Sequence, residues 1–164
     1  MPWLTTVTDL ADAEQAMRVR RSRYGVIETR AGRFTRLTLR PWPKLALPWD
    51  VFWGEYRHRS AEGDRCWLFY NQPRGLPTFL ALKFVVSSRA ATLATFRGAL
   101  DVLDHIARLK QTDAIVCDAI NWRISDRLMS RWGWQPHKPQ RWHRNYIKRF
   151  YGTFPASAGP LSGV

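Results

Sequence analysis

The segment from Thr78 to Val86, with the sequence TFLALKFVV, is the strongest constraint that this chain places on its fold. Its residues are apolar at both odd and even positions apart from Lys83, so a strand here has two faces to bury. Such a strand belongs in the interior of a sheet, with other elements packed against it. A chain of 164 residues is long enough to form one such domain and to bury its core without disulfides or metals.

The residues that follow predict a long amphipathic helix and then another buried strand. Apolar residues at the spacing of one helix face predict a helix over Thr92–Gln111, with Thr92 or Thr95 as its cap. Gly98 lies inside this helix and permits another element to approach it closely. The run AIVCDAI predicts a buried strand over Ala114–Ile120.

Shorter patterns predict the other elements. Acidic residues early and basic residues late predict a first helix over Thr8–Arg21, capped by Thr8 or Asp9. Further strands are predicted at Tyr24–Arg30, Arg33–Arg40, Arg65–Asn71 and Asn145–Tyr151, and short helices at Asp50–Arg59 and Arg123–Trp132. Gly32 is expected in a hairpin turn, and Thr35, Leu37 and Leu39 are expected on one face of their strand.

These elements predict a single α/β (α+β) domain with a mixed, mostly antiparallel sheet flanked by helices. The domain is expected to cover residues 1–154, and residues 155–164 are expected to be a disordered tail because they contain little to bury. The aromatic residues of Asp50–Arg59 recur at helical spacing, which fits either a ligand slot or core packing, and core packing is the favoured interpretation.

Charge and cysteine usage narrow the class of protein. The chain has 26 Lys and Arg against 13 Asp and Glu, a net charge of +13, which favours anionic partners such as phosphates, nucleic acid or an acidic membrane face. Cys66 and Cys117 form no zinc-binding or disulfide pattern, so no metal is expected. The N-terminal sequence predicts no secretory signal, and no apolar run is long enough to span a membrane, so a cytoplasmic location is expected.

The order strand, helix, strand, short helix, strand, strand over Thr78–Tyr151 resembles the C-terminal half of the GNAT-type N-acetyltransferase fold. The most specific part is Ala114–Trp134, in which a buried strand runs into Asn121, a short helix and the pair Gly133-Trp134. The resemblance implies that the strand at Phe79–Val86 diverges from its parallel neighbour. It also implies that acetyl-CoA or another acyl-CoA lies in the gap, pairing with exposed strand backbone.

The resemblance further implies a set of cofactor-binding residues around the start of the long helix. A helix start is a natural anion site, because its first N–H groups have no helical partner. The family's diphosphate loop reads Gln/Arg-x-x-Gly-x-Gly/Ala and aligns with Arg89–Ala94, where Thr92 replaces the central glycine. The residues implied to contact the cofactor are Val86, Ser88, Arg89, Thr92, Ala94 and Asn121.

The catalytic groups are less well defined. Many family members carry a tyrosine that protonates the departing thiolate, and Met129 stands at that position here. Asp118 is the candidate general base, because it lies on the buried strand and burial raises the pKa of a carboxyl group. A structural role for Asp118, with hydrogen bonds to backbone or to an arginine, is the alternative interpretation.

Two functions are therefore compared. The first is transfer of an acyl group from acyl-CoA to the amine of a small molecule or protein. The second is a non-catalytic GNAT-like scaffold that binds nucleic acid or another polyanion through its C-terminal region. That region interleaves basic and aromatic residues: Arg127, Arg131, Lys138, Arg141, Arg144, Lys148 and Arg149 with Trp132, Trp134, Trp142, Tyr146, Phe150 and Tyr151. The simpler interpretation is that Trp134, Tyr146 and Phe150 belong to the core.

Overall fold

The computed structural model describes residues 4–43, 62–119, 125–137, 144–156 and 161. Within them the chain forms one mixed α+β domain, as the sequence predicts. The strands are β1 (Thr5–Val7), β2 (Tyr24–Arg30), β3 (Arg33–Arg40), β4 (Arg65–Asn71), β5 (Phe79–Ser87), β6 (Ala114–Ala119), β7 (Gln135–Pro136) and β8 (Arg144–Arg149), and the helices are α1 (Ala13–Arg21), α2 (Leu93–Lys110) and α3 (Asp126–Arg131). No helix in these ranges is both long and apolar enough to cross a lipid bilayer.

The eight strands form one sheet in the order β1-β3-β2-β4-β5-β6-β8-β7. Strands β5 and β6 are parallel and are connected by α2, whereas the other described strand pairs are antiparallel. β4 and the first half of β5 are buried on both faces, which confirms the interior position predicted from the apolar run. The expected element order from Thr78 to Tyr151 is also present.

The predicted helix over Thr8–Arg21 starts too early. Asp12 is the cap, because its carboxylate accepts the backbone N–H of Gln15 at 2.8 Å. Asp9 instead accepts the backbone N–H of Ala11, which makes a turn before the helix. The side-chain oxygen of Gln15 accepts the backbone N–H groups of Thr8 at 2.9 Å and Asp9 at 3.2 Å, which joins the preceding turn to the first turn of the helix.

The prediction that Thr35 shares one face of β3 with Leu37 and Leu39 is wrong, because the strand contains an extra residue. Glu28 pairs with Arg36 and Thr29 pairs with Phe34, so Thr35 has no residue opposite it on β2. This extra residue is a β-bulge, which shifts the alternation of side chains by one position. Phe34 therefore lies in the core with Leu37, while Thr35 is only half-buried.

Helix α2 is the principal helix of the core and begins against the β2–β3 turn. The hydroxyl of Thr29 donates to the carbonyl of Thr95 at 2.9 Å, and the hydroxyl of Thr95 accepts the backbone N–H of Gly32 at 2.9 Å. A Cβ added to Gly98 would lie 2.8 Å from the backbone oxygen of Gly32. The helix and the hairpin turn therefore pack backbone to backbone at this point.

The C-terminal elements follow the sequence expectation. Helix α3 ends at Arg131 with Trp132 as its C-cap, and Gly133 then adopts a φ of 84°. The N–H groups of Gly133 and Trp134 donate to the carbonyls of Ser130 and Met129, which is the Schellman arrangement that a C′ glycine permits.

Leu161 lies in the segment predicted to be disordered, yet its carbonyl accepts the N–H of Leu10 and its side chain packs against the core.

Three predicted segments fall partly or wholly outside the described residues. The predicted helix at Asp50–Arg59 lies outside them completely, as do residues 120–124 before α3. For the tail at 155–164, the structure describes residues 155, 156 and 161, so disorder of that segment stays a prediction.

Replacing Gly98 with alanine should lower the free energy of unfolding by about 1–2 kcal/mol, because overpacking against the Gly32 backbone outweighs the gain of about 1 kcal/mol in helix propensity. Urea denaturation measures the change. Gly75→Ala is the matched control, since no atom lies within 4 Å of its added Cβ. A Gly98→Ala variant as stable as the wild type would contradict the close approach.

Candidate functional site

The parallel pairing of β5 and β6 ends before either strand does. Residues Phe79 to Leu82 pair with Ala114 to Cys117. Beyond this point β5 continues to Ser87 on β4, and β6 continues to Ala119 on β8, but the two strands no longer pair with each other. We call this unpaired region, from Lys83 on β5 and Asp118 on β6 onward, the strand fork.

A β-bulge lies at the start of the strand fork. Phe69 pairs with Phe84 and Tyr70 pairs with Leu82, so Lys83 has no residue opposite it on β4. A bulge bends its strand and increases the local twist. Lys83 is exposed and directly follows the last residue that pairs with β6. The bulge therefore provides a physical cause for the separation of the two strands.

The hydrogen-bonding pattern of β4 and β5 indicates which backbone groups face the strand fork. The N–H of Ser88 donates to the carbonyl of Arg65 at 3.0 Å, and hydrogen-bonded and non-hydrogen-bonded pairs alternate along an antiparallel ladder. Val86 therefore exchanges hydrogen bonds with β4. Val85 and Ser87 direct their N–H and carbonyl groups away from β4, toward the side that β6 leaves open.

Ser88, an implied cofactor contact, is part of the scaffold. It is buried, and its hydroxyl donates to the carbonyl of Gly63 at 2.6 Å and accepts the N–H of Arg65 at 3.0 Å. These bonds join the end of β5 to the start of β4. Arg89 and Ala94, by contrast, are exposed beside it.

Asp64 occupies the start of α2. Its carboxylate accepts the backbone N–H of Thr92 at 2.8 Å and the hydroxyl of Thr92 at 2.9 Å. Burial acts to raise the pKa of Asp64, but hydrogen bonds from Thr92 and Thr95 outweigh it and hold the pKa below its usual value. Thr92, which stands where the resembled diphosphate loop has a glycine, is thus held by an acidic residue of the same chain.

Two N–H groups of the first turn of α2 remain open. In the described part of the chain, the backbone N–H groups of Leu93 and Ala94 make no hydrogen bond, whereas that of Thr95 donates to the hydroxyl of Thr92 at 3.3 Å. The helix start therefore retains donors for an anion beside the carboxylate of Asp64.

Of the positions that the resemblance implies for catalysis, the structure describes Met129 and the backbone of Asp118. The backbone of Asp118 lies on β6 opposite Asn145, within the strand fork, while its side chain and all of Asn121 lie outside what the structure describes. Met129 is 1% exposed and belongs to the core cluster. Its thioether has no proton to donate to a departing thiolate.

Tyr146 is the tyrosine next to the strand fork that the sequence interpretation assigned to the core. It pairs with Cys117, the last residue of β6 that pairs with β5, and it is buried. Its hydroxyl donates to the carboxylate of Asp126 in the first turn of α3. The bond fixes α3 to the sheet beside the strand fork.

A buried ion pair joins α2 to β8. The ammonium of Lys148 lies 2.5 Å from the carboxylate of Asp104, and both side chains are largely buried. Burial raises the pKa of Asp104 to about 6; Lys148 lowers this pKa and neighbouring Asp101 raises it. Asp101 is itself half-buried, and burial raises its pKa as well.

In the described part of the basic C-terminal region, fewer aromatic side chains are available than the sequence suggests; Lys138, Arg141 and Trp142 lie outside the described residues. Trp134, Tyr146 and Phe150 are buried in the core, which confirms the simpler interpretation. Trp132 lies against the first turn of α2, with its ring 5.7 Å from that of Phe96. Tyr151 is exposed.

Sequence patterns did not indicate the groups that organise this site. Asp64 is separated from Thr92 by 28 positions, and no local spacing links them. The bulge at Lys83 had one visible signal, since this lysine interrupts an otherwise apolar strand. Among the described residues, no group of three or more histidine, cysteine, aspartate or glutamate side chains is arranged to hold a metal ion.

Comparison of the chain with protein-family models, with curated proteins and with solved structures gave no match. The interpretation of the strand fork therefore depends on its own geometry.

Replacing Asp104 with asparagine should remove a pH-dependent component of stability. Because the pKa of Asp104 is raised from 3.8 to about 6 in the folded chain, its protonation stabilises the fold below about pH 3.8, and this contribution is lost as the pH rises through about 6. The stability of Asp104→Asn relative to wild type should therefore increase between pH 4 and pH 7, as measured by urea denaturation.

Lys148→Gln provides the companion measurement for the same ion pair. Removing the ammonium that lowers the pKa of Asp104 should move the loss of stability to higher pH. If the difference between Asp104→Asn and wild type stays constant from pH 4 to pH 7, Asp104 does not titrate in this range.

Proposed function

We propose that this chain is an acyl-CoA-dependent N-acyltransferase of the GNAT type that holds its cofactor in the strand fork. The observation that carries the proposal is the end of parallel pairing at Leu82 and Cys117 while both strands continue. Separation of two central parallel strands leaves backbone hydrogen-bonding groups open inside the sheet. Open groups of this kind require partners, and an extended ligand with amide groups can supply them.

The residues present fit the pantetheine arm of acyl-CoA. Val85 and Ser87 direct one N–H and one carbonyl each toward the open side, which matches the donor and acceptor pattern of the amides in that arm. Phe84, Val85 and Val86 are only half-buried, so this stretch of β5 is accessible. Val86 would then contact the cofactor through its side chain, because its backbone is paired with β4.

The diphosphate of the cofactor would be held by the start of α2. Arg89 is exposed there, and the N–H groups of Leu93 and Ala94 are open in the described structure. Asp64 opposes this binding, because its carboxylate places a negative charge at the same turn. We therefore propose that the cofactor binds here with an affinity that Asp64 reduces.

Acyl-CoA, when bound, would supply a thioester for transfer to an amine: the amide bond would form as the carbon–sulfur bond breaks, and the proton lost by the amine would pass through the base and water to the departing thiolate. Asp118 is our proposed general base, since its backbone position on β6 lies in the strand fork. The acceptor is an amine of a small molecule or a protein. A reducing compartment such as the cytoplasm suits Cys66 and Cys117, which are buried and form no disulfide in the described structure.

Acetyl-CoA should raise the melting temperature of the wild-type chain. At a concentration of about 100 times the dissociation constant, binding to the folded state alone adds about 2.7 kcal/mol, which corresponds to roughly 5–10 °C for a chain of this size. ATP is the matched control, because it carries phosphates without a pantetheine arm. Equal shifts with ATP and acetyl-CoA, or no shift with either, would argue against a cofactor in the strand fork.

Replacing Asp64 with asparagine should tighten the binding of acetyl-CoA about two- to fivefold at low ionic strength. Asparagine retains an oxygen that can accept the Thr92 N–H but removes the charge that repels the diphosphate. Isothermal titration calorimetry at two salt concentrations measures the effect, which should shrink at high salt.

Asp113→Asn is the control for this substitution, because it makes the same charge change beyond the other end of α2. It should leave the affinity unchanged. If Asp64→Asn and wild type bind acetyl-CoA equally well, the diphosphate does not lie at the start of α2.

A further inference from the structure

A cleft lined by arginines lies at the end of the sheet where β2 begins. It has a volume of about 510 Å³ and is lined by Arg21, Ser22, Arg23, Tyr24, Arg40, Pro41 and Arg74. Four of the seven lining residues are arginines, and none is acidic. We call this feature the arginine cleft.

Three separate segments bring these arginines together. Arg21 ends α1 and Arg23 precedes β2, Arg40 ends β3, and Arg74 lies in the loop between β4 and β5. The pairing of Tyr24 with both Arg40 and Asn71 places these segments side by side. The cluster is therefore a product of the fold and not of a run of basic residues in the sequence.

The positive charge of the arginine cleft is not neutralised by the described part of the chain. None of the four arginine side chains makes a hydrogen bond or an ion pair there, although Arg18 and Arg36 on neighbouring surface positions both do. Arg21, Arg23 and Arg74 are exposed, and Arg40 is half-buried. Like charges held together without counter-charges repel each other, so a bound anion would stabilise this arrangement.

Lys110 adds a further positive charge beneath the arginine cleft and fixes its frame. Its ammonium donates to the carbonyls of Arg20 at 3.1 Å and Ser22 at 2.5 Å, and to the side-chain oxygen of Gln72 at 3.1 Å. The backbone N–H of Gln72 donates to the carbonyl of Arg23 at 2.7 Å. The α1–β2 connection and the β4–β5 loop are thus joined to the end of α2.

We infer that the arginine cleft binds the phosphodiester backbone of nucleic acid. A guanidinium group binds phosphate through two parallel hydrogen bonds, and four guanidinium groups line this one cleft. Because the arginines lie on three separate segments, they can contact successive phosphates along one nucleic-acid strand rather than a single phosphate. The net charge of +13 attracts the same polyanion at longer range.

This site is distinct from the strand fork. The arginine cleft lies at the open end of the β2–β3 hairpin, whereas the start of α2 packs on the turn of that hairpin, roughly 20 Å away along β2 at about 3.3 Å per residue. Binding of nucleic acid here therefore leaves the proposed cofactor site unoccupied.

The test compares two double variants that remove the same charge. Arg23→Gln with Arg74→Gln alters the arginine cleft, and Arg127→Gln with Arg131→Gln alters exposed arginines of α3 in the basic C-terminal region. Binding of a labelled 20-base-pair DNA duplex is measured by fluorescence anisotropy at several salt concentrations. The cleft variant should bind on the order of tenfold more weakly, and its slope of log affinity against log salt should fall by about 1.8, because two phosphate contacts are lost.

The other outcomes overturn the inference. Equal losses in the two double variants would mean that only total charge matters, and a larger loss in the α3 variant would place the surface in the C-terminal region. Displacement of the duplex by inorganic phosphate at equal phosphate concentration would mean that the site takes single phosphates.

If the cleft double variant does not fold, Arg74→Gln alone, in an exposed loop, should lower the slope by about 0.9. Wild-type binding by that variant would also reject the site, and acetyl-CoA titrations of the same variants report separately on the strand fork.

Discussion

One extra residue on β5, relative to its partner strand β4, lies where the two central parallel strands of this sheet stop pairing. Lys83 has no residue opposite it on β4, and the parallel pairing with β6 stops at the residue before it. A bulge in a central strand normally leaves unsatisfied backbone groups, which are unfavourable in a protein interior. Within the part of the chain that the structure describes, these groups face the region where β6 no longer pairs, so the bulge gives an interior strand an unpaired edge.

The start of α2 shows how the chain has adapted to a helix terminus that would otherwise attract an anion. The carboxylate of Asp64 holds the N–H and the hydroxyl of Thr92, and the hydroxyl of Thr95 holds the N–H of Gly32. Two segments distant in sequence therefore contact the start of one helix, and of the two only the Asp64 carboxylate accepts an N–H there. Any external anion at this turn has to bind next to Asp64, using the N–H groups that Asp64 does not reach.

Local sequence patterns predicted most of the elements because their causes are local. The β2–β3 hairpin follows from Ala31-Gly32, and α2 follows from an apolar stripe with Thr92 as its cap, as expected. The errors have longer-range causes. The bulge at Thr35 depends on the partner strand, and it moved Phe34 rather than Thr35 into the core. The short strand β1 was missed because only its pairing with β3 makes it a strand.

The same distinction separates the site residues that sequence reasoning found from those it missed. The resemblance predicts that β5 and β6 diverge, whereas neither the contact of Asp64 with Thr92 nor the gathering of Arg23, Arg40 and Arg74 has a local signature in the sequence. Such groupings arise only when strands are placed in register.

The ammonium of Lys110 cross-links separate segments at the end of the molecule where β2 begins. Burial and the nearby Arg23 and Arg20 lower its pKa to about 8, yet it still donates to three acceptors: one in the last turn of α1, one in the α1–β2 connection and one in the β4–β5 loop. Loops that carry binding residues generally lose conformational entropy when a ligand orders them. Here a single side chain has already ordered the two connections, so a ligand would meet a preorganised frame, and modification of this one amine, for example by acetylation, would loosen both connections together.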